Sequence, residues 1–253
     1  NLHWIHSTVT GVEHLQCPEI INNDIQLTSS KGVHSVAVAE FVLALMLAIS
    51  KRIPEHIYLQ QDRNWHTLMS DELAEKTVGI VGLGNIGQEV AKKAKMMGMR
   101  VVATKKNPVN CSNVDKLFPV EALNELLRIS DFVIISAPLT KETNGIIGTA
   151  ELKIMKKNAY LINISREKIV QKEALIQALK ESWIAGACID VFNKQPLSQN
   201  SPYYSLPNLI ITHHSAYLTS DSHKRIFTFF LDNLKRFIIG DELLGKIDKI
   251  TGY

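Results

Sequence analysis

Gly82-Leu83-Gly84-Asn85-Ile86-Gly87 is a G-x-G-x-x-G run. It follows a short β-branched stretch (KTVGIVG, residues 76–82) and opens a helical pattern, the context that gives such glycines meaning. Gly82 permits a tight turn, Gly84 lets backbone approach a pyrophosphate, and Gly87 allows a helix to pack closely on a strand. Asn85, Ile86 and Gly87 then present the free N–H groups and partial positive charge of a helix N-terminus to the phosphates. The chemistry implied is dinucleotide binding. About 20 residues after the first glycine of such a motif, an Asp or Glu normally holds the adenosine ribose 2′-hydroxyl. Here that region reads Val101-Val102-Ala103-Thr104-Lys105-Lys106-Asn107-Pro108 and holds no carboxylate. Lys105 stands in the acid's place with Lys106 beside it. Two ammonium groups attract a 2′-phosphate and no carboxylate repels it, so NADP(H) is expected in preference to NAD(H).

Strand-like and helix-like runs alternate around this motif. Strands are expected at 76–82, 100–103, 131–137, 159–164, 186–191 and 209–212. Helices are expected at 86–97, 120–129 and 172–181. Near-continuous apolar strands separated by helices argue for a parallel sheet covered on both faces, hence an α/β, Rossmann-type doubly wound fold. Residues 193–207, with prolines and polar side chains, read as a surface loop. The two ends differ from this pattern. Residues 1–35 read as a fragment of a second domain, 36–218 as the dinucleotide-binding domain, and 219–253 as a C-terminal helix returning to the second domain.

The 253 residues are 45% hydrophobic and 21% charged, an ordinary globular composition. The net charge of +3 comes without a basic run, so nucleic acid is not the expected partner. The apolar stretch at 36–49 is interrupted by Glu40 and shorter than the ~20 residues of a bilayer crossing. No membrane partner is expected, and no export signal is recognisable. Cys17, Cys111 and Cys188 are odd in number and widely spaced, which fits neither a disulfide framework nor a zinc site. The default setting is a reducing cytoplasm, with Cys188 a buried, inert thiol.

Beyond the glycine motif, ordered segments resemble the D-isomer-specific 2-hydroxyacid dehydrogenase family over essentially the whole chain. Trp4-Ile5 through Gly11-Val12-Glu13-His14 resembles the family's substrate-loop region. Gly32-Val33-His34 through Ala39-Glu40 resembles its hinge and first helix. Ser136-Ala137-Pro138-Leu139-Thr140, with Thr143, resembles its cofactor loop. Asn163-Ile164-Ser165-Arg166, Asp190-Val191-Phe192 and Thr212-His213-His214 are similar to further signatures. The resemblance implies a flavodoxin-like substrate domain, incomplete here and formed by both chain ends, because family chains are longer at their start. It also implies a homodimer joined through the cofactor domain, a small 2-oxo acid or D-2-hydroxy acid as substrate, and no metal.

The family reaction moves a hydride between the nicotinamide and C2 of the acid. By resemblance, Arg166 clamps the substrate carboxylate or polarises its carbonyl, a task suited to a planar, permanently charged guanidinium. Backbone N–H groups around Thr10 and Gly11 hold the other side of the carboxylate. His214 is the acid/base; His213, its neighbour, replaces the usual proline and is the alternative. Asp190 contacts the nicotinamide carboxamide, or else caps a loop. Ala137, Pro138, Thr143, Ile164 and Ser165 line the cofactor.

Two positions depart from the pattern. Gln195, before Pro196, stands where the family has a glutamate. A carboxylate beside the histidine favours its cation; a neutral amide orients the ring without supplying charge. Reduction is therefore expected to fade at lower pH than in a glutamate-containing relative. Glu167 follows the arginine where glycine is usual, altering the loop or neutralising Arg166. These departures leave open a dinucleotide-sensing, corepressor-like protein with weakened catalysis. Gln paired with His also keeps a formate-type dehydrogenase as a minor alternative.

Overall fold

A computed structural model of the chain describes residues 2–106, 111–249 and 252. It divides into two compact units. One comprises residues 1–37 and 217–253, the other 38–216. Asn107 and Pro108, read above with the lysine segment, lie outside the described residues.

In the first unit, β1 (Trp4–Ser7) is followed by a short helix α1 (Pro18–Ile21) and by β2 (Gln26–Ser29). β1 and β2 pair in parallel, Trp4 opposite Gln26 through Ser7 opposite Ser29. The helix α2 (Ser35–Ser50) begins here, and the division between units falls within it. Its residues Val38, Ala39, Val42, Leu45 and Met46 are buried. It is followed by α3 (Ile53–Gln61) in the second unit.

The second unit continues as β3 (Thr77–Val81), α4 (Asn85–Met96), β4 (Arg100–Thr104), β5 (Lys116–Phe118), α5 (Leu123–Ile129), β6 (Phe132–Ile135), α6 (Thr149–Ile154), β7 (Tyr160–Asn163), α7 (Lys172–Lys180), β8 (Gly186–Ile189) and β9 (Leu209–Ile211). The last helix, α8 (Ser222–Ile239), returns the chain to the first unit. The strands form one seven-stranded sheet in the order β5-β4-β3-β6-β7-β8-β9, parallel throughout. The chain runs outward from β3 through β4 to β5, then restarts on the other side of β3 with β6. That reversal makes a crevice at the carboxyl ends of β3 and β6, the place where open α/β sheets bind ligands.

The helices form because their apolar residues recur at helical spacing. In α4 the buried residues are Gly87, Val90, Ala91 and Ala94; in α7 they are Ala174, Leu175, Ala178 and Leu179. Every residue of β3, β6 and β8 is buried, as expected of strands covered on both faces. Each fully buried Val or Ile side chain contributes roughly 1.5–3 kcal/mol.

Some short or exposed elements were not anticipated. β5 has three residues, α6 has six, and α3 has no buried residue. The expected helix at 120–129 is a 3-10 turn, Val120–Ala122, leading into α5. The stretch 193–207 also differs from a plain surface loop. A 3-10 turn at Pro202–Ser205 carries Tyr203 into the core at 1% exposure, and Leu206 is buried beside it. Polar flanking residues set the local character of that segment, whereas the aromatic ring follows the apolar space under the sheet edge.

Candidate active site

The turn between β3 and α4 is built by its glycines. Gly82 has φ +96°, and a Cβ there would lie 2.6 Å from the backbone of Ala137. Only glycine accepts that backbone and that approach. At Gly87 a Cβ would meet the Gly82 carbonyl oxygen at 2.6 Å and Ile80 at 3.1 Å, so α4 lies directly on β3. Gly84 is different: a Cβ there meets no protein atom within 4 Å. It is the N-cap of α4 and supplies no capping side chain, and no acidic residue occupies the first turn. The first N–H groups of the helix, at Asn85, Ile86 and Gly87, have no partner within the helix. An open cradle with unsatisfied donors and a positive helix end fits a dinucleotide pyrophosphate.

The neighbouring strand ends are stitched to this turn. Ser136 Oγ donates to the Gly82 carbonyl at 2.8 Å, and Ser165 Oγ donates to the Ala137 carbonyl. Thr143 Oγ1 donates to the Pro138 carbonyl at 2.6 Å and accepts from Thr140 N–H at 2.8 Å, closing the loop after β6. Gly82 N–H donates to Thr104 Oγ1 at 3.3 Å, and Leu83 N–H to the Thr104 carbonyl at 3.0 Å. Gly82, Ala137, Pro138, Thr143, Ile164 and Ser165 therefore follow the ends of three adjacent strands.

Lys105 and Lys106 follow β4 directly; Lys105 is partly buried and Lys106 exposed. Glu142, in the loop after β6, is held below the usual carboxylate range. Its hydrogen bond from Thr140 contributes most, then its own backbone N–H, with the charges of Lys106 and Lys141 adding to them.

Arg166 ends the turn after β7. The strand closes on Asn163, which is fully buried. Its side chain donates to the Arg166 carbonyl at 2.9 Å and accepts from Ser165 N–H at 3.1 Å. Asn163 was read from sequence only as part of a signature segment and given no role, although a lone amide ending an apolar strand is a readable sign of a side chain organising a loop. Glu167 does not simply face solvent. Its carboxylate accepts from Asn193 N–H at 2.6 Å and from the Tyr203 hydroxyl at 3.4 Å.

Asp190, 2% exposed, directly follows β8. Its Oδ1 accepts from Thr212 Oγ1 at 2.6 Å and Ser215 N–H at 3.0 Å, and its Oδ2 from Ala216 N–H at 3.2 Å. Its carbonyl accepts from His214 N–H at 2.8 Å. These bonds hold the turn in which His214 sits at φ +53°, a left-handed conformation costly for a non-glycine residue. The carboxylate read from sequence as a carboxamide partner or a loop cap makes the hydrogen bonds that hold the histidine loop.

His214 Nδ1 lies 3.2 Å from Gln195 Oε1 and 3.1 Å from its Nε2; that nitrogen also donates to the Phe192 carbonyl at 3.0 Å. The structure thus brings Gln195 and His214 together, on loops that follow β8 and β9. His213 is exposed, beside Tyr58, Tyr204 and Ile211, in a cavity of about 490 Å³ on the side of β9. Thr10 and Gly11 belong to the first unit, just past the carboxyl end of β1.

The described residues contain no group of three or more His, Cys, Asp or Glu side chains that could hold a metal. No helix among them is long and apolar enough to cross a membrane.

A family model for the D-isomer specific 2-hydroxyacid dehydrogenase NAD binding domain matches residues 43–216. A glyoxylate reductase of Thermofilum pendens is 36% identical over 256 residues, covering 95% of this chain and 73% of its own. An NADPH-dependent glyoxylate/hydroxypyruvate reductase from Sinorhizobium meliloti, solved with NADP and sulfate, matches with TM-score 0.90 at 27% identity, over 100% of this chain and 80% of its own. A D-isomer specific 2-hydroxyacid dehydrogenase from Lactobacillus delbrueckii ssp. bulgaricus, solved in its NAD complexed form, matches with TM-score 0.84 at 26% identity, over 97% of this chain and 79% of its own. With the glycine cradle, the strand-end arginine and the glutamine–histidine pair in one sheet, this chain belongs to the D-isomer-specific 2-hydroxyacid dehydrogenase family and is an enzyme of hydride transfer between a nicotinamide dinucleotide and a 2-oxo acid.

Proposed function

We propose that this enzyme reduces a small 2-oxo acid, glyoxylate or hydroxypyruvate in the first instance and 2-ketopantoate next, to the D-2-hydroxy acid, and that it prefers NADP(H) while accepting NAD(H). The observation that carries the reading is the Gln195–His214 pair at the strand ends of a dinucleotide-binding sheet. The small acids are suggested by the Thermofilum pendens and Sinorhizobium meliloti relatives.

In this reading Gly82, Gly84, Asn85, Ile86 and Gly87 hold the pyrophosphate, and Lys105 and Lys106 hold the 2′-phosphate. Ala137, Pro138, Thr143, Ile164, Ser165 and Asp190 hold the rest of the cofactor. Bound, the reduced nicotinamide supplies the hydride. Arg166 clamps the substrate carboxylate. The backbone N–H groups around Thr10 and Gly11 keep, by family resemblance, the role of substrate contacts. His214 gives a proton from Nε2 to the substrate oxygen as negative charge gathers there, and takes it back in the reverse direction. Gln195 orients that ring. Its Nε2 donates to the Phe192 carbonyl; in the protonated imidazole that reduction requires, Nδ1–H donates to Gln195 Oε1 and Nε2–H is left for the substrate. A homodimer and a reducing cytoplasm belong to the same proposal; light scattering tests the first.

The test is cofactor oxidation against a panel of 2-oxo acids, with NADPH and NADH in parallel. A higher kcat/KM with NADPH and one preferred acid is expected. Lys105→Ala lowers the NADPH value about tenfold, the worth of one charge-assisted hydrogen bond, and spares NADH. Equal or better use of NADH overturns the cofactor preference. No turnover with any acid overturns the substrate reading.

A further inference from the structure

The hydrogen bonds of Glu167 and Gln195 meet on one peptide group. Asn193 N–H donates to Glu167 Oε2 at 2.6 Å. The carbonyl of that same peptide, on Phe192, accepts from Gln195 Nε2 at 3.0 Å. The Gln195 amide in turn meets His214 Nδ1. A peptide group is planar, so fixing the direction of its N–H fixes the direction of its C=O. Three side chains on the ends of β7, β8 and β9 are joined through this plane.

We infer that Glu167 is a positioning residue, setting the orientation of His214 through the Phe192–Asn193 peptide and Gln195. The inference rests on His214 being the acid/base of the proposed reaction. Tyr203 completes the arrangement. Its ring lies 5.8 Å from that of Phe192, and its hydroxyl donates to Glu167 Oε1 at 3.4 Å. Burial first, and the Glu167 charge second, push the phenol far above its ordinary value, so it stays a donor. Glu167 is thus held from one side by a buried phenol and grips the Gln195 loop on the other. Glycine at this position leaves the peptide N–H to solvent.

Reach, rather than charge beside Arg166, is what this arrangement demands, and three substitutions separate the two. Glu167→Gln keeps an acceptor at the same distance. Glu167→Asp keeps the charge but is one methylene short. Glu167→Ala keeps neither. Steady-state kinetics with the preferred 2-oxo acid is expected to show kcat lowered about tenfold in the Asp and Ala variants, the order of loss from a small misplacement of a reacting group. The Gln variant stays within about twofold, and the KM for the dinucleotide is unchanged in all three within the same factor, which reports an intact fold. In a Gln195→Ala background, Glu167→Ala changes kcat by less than about twofold, because the link it acts through is gone. A role in charge, with Asp retained and Gln lost, overturns the inference; so does an equal loss from Glu167→Ala in both backgrounds. Nitrogen-15 shifts of the His214 imidazole give a readout that needs no turnover. One tautomer is expected in the wild type and in Glu167→Gln, and a mixture in Glu167→Ala. An unchanged tautomer in Glu167→Ala overturns the positioning role, even if no acid is reduced and the substrate reading has failed separately.

Discussion

At the scale of single residues, the unusual element is a neutral amide where the family pattern has a carboxylate. Gln195 makes two useful contacts, with the Phe192 carbonyl and His214 Nδ1, so orientation of the ring is retained. What it lacks is charge. A glutamate at this point favours the imidazolium and keeps the proton donor loaded to higher pH. Gln195→Glu is therefore expected to move the alkaline limb of the reduction profile upward, by roughly a pH unit, the usual scale for one adjacent opposite charge. An unchanged profile of kcat/KM against pH sinks this account. Asp190 illustrates a different point. As a lone acid within an apolar run, its role was open between cofactor contact and loop cap. The structure engages both its oxygens with Thr212, Ser215 and Ala216.

At the scale of elements, the β3–α4 unit separates two duties that the glycine motif mixes. Gly87 lies against the Gly82 carbonyl oxygen and Ile80, whereas Gly84 faces no protein atom. Gly87→Val is expected to push α4 off β3 and to destabilise the fold by about 1–3 kcal/mol, the range for an overpacked contact. Gly84→Ala is expected to leave the urea midpoint nearly unchanged while weakening dinucleotide binding about tenfold, since the methyl enters the space meant for phosphate. Binding titrations paired with urea unfolding decide this. If Gly84→Ala binds as the wild type does, the open cradle is not the phosphate site. The motif, its strand and its helix were all legible, because periodicity and glycine placement are local properties. β5 and α6 were not: three and six residues are too few to show a period, and β5 exists only because β4 offers it an edge.

At the scale of the whole molecule, the first unit carries its own pH dependence. His6 sits between Thr28 Oγ1 at 2.8 Å and Ser30 Oγ at 3.2 Å, with aromatic rings of Trp4, Phe229 and Phe230 around it. Burial lowers its pKa below 6.5. His34 is lowered by burial and, secondarily, by the Arg225 charge. Above pH 6.5 both histidines are neutral folded or unfolded, and the stability is fully present. Below it the unfolded chain takes up protons that the folded unit refuses, so stability falls until the folded pKa values are passed. Hydrogen exchange at β1 and β2 is expected to accelerate between pH 7 and 5 relative to the intrinsic rate. His6→Asn should flatten that dependence; the same slope in the variant removes His6 from the explanation. Cys188, in the other unit, is pushed up to about 12 by burial and stays a thiol, the inert role expected of it.

The fold class and the cofactor turn were determined by sequence alone, since apolar runs, their spacing and three glycines are all nearest-neighbour information. The family resemblance added Arg166, Gln195 and His214 as the reacting set. Which of these touch was decided only in three dimensions. Gln195 and His214 are brought within hydrogen-bond distance because β8 and β9 are adjacent in the sheet, a pairing between residues far apart along the chain. The place of Glu167 was decided in the same way. Read along the chain, it neighbours Arg166 and suggests an ion pair. In the folded unit its carboxylate accepts from Asn193 N–H and the buried Tyr203 hydroxyl, because the end of β8 and the 3-10 turn beyond it lie beside the end of β7.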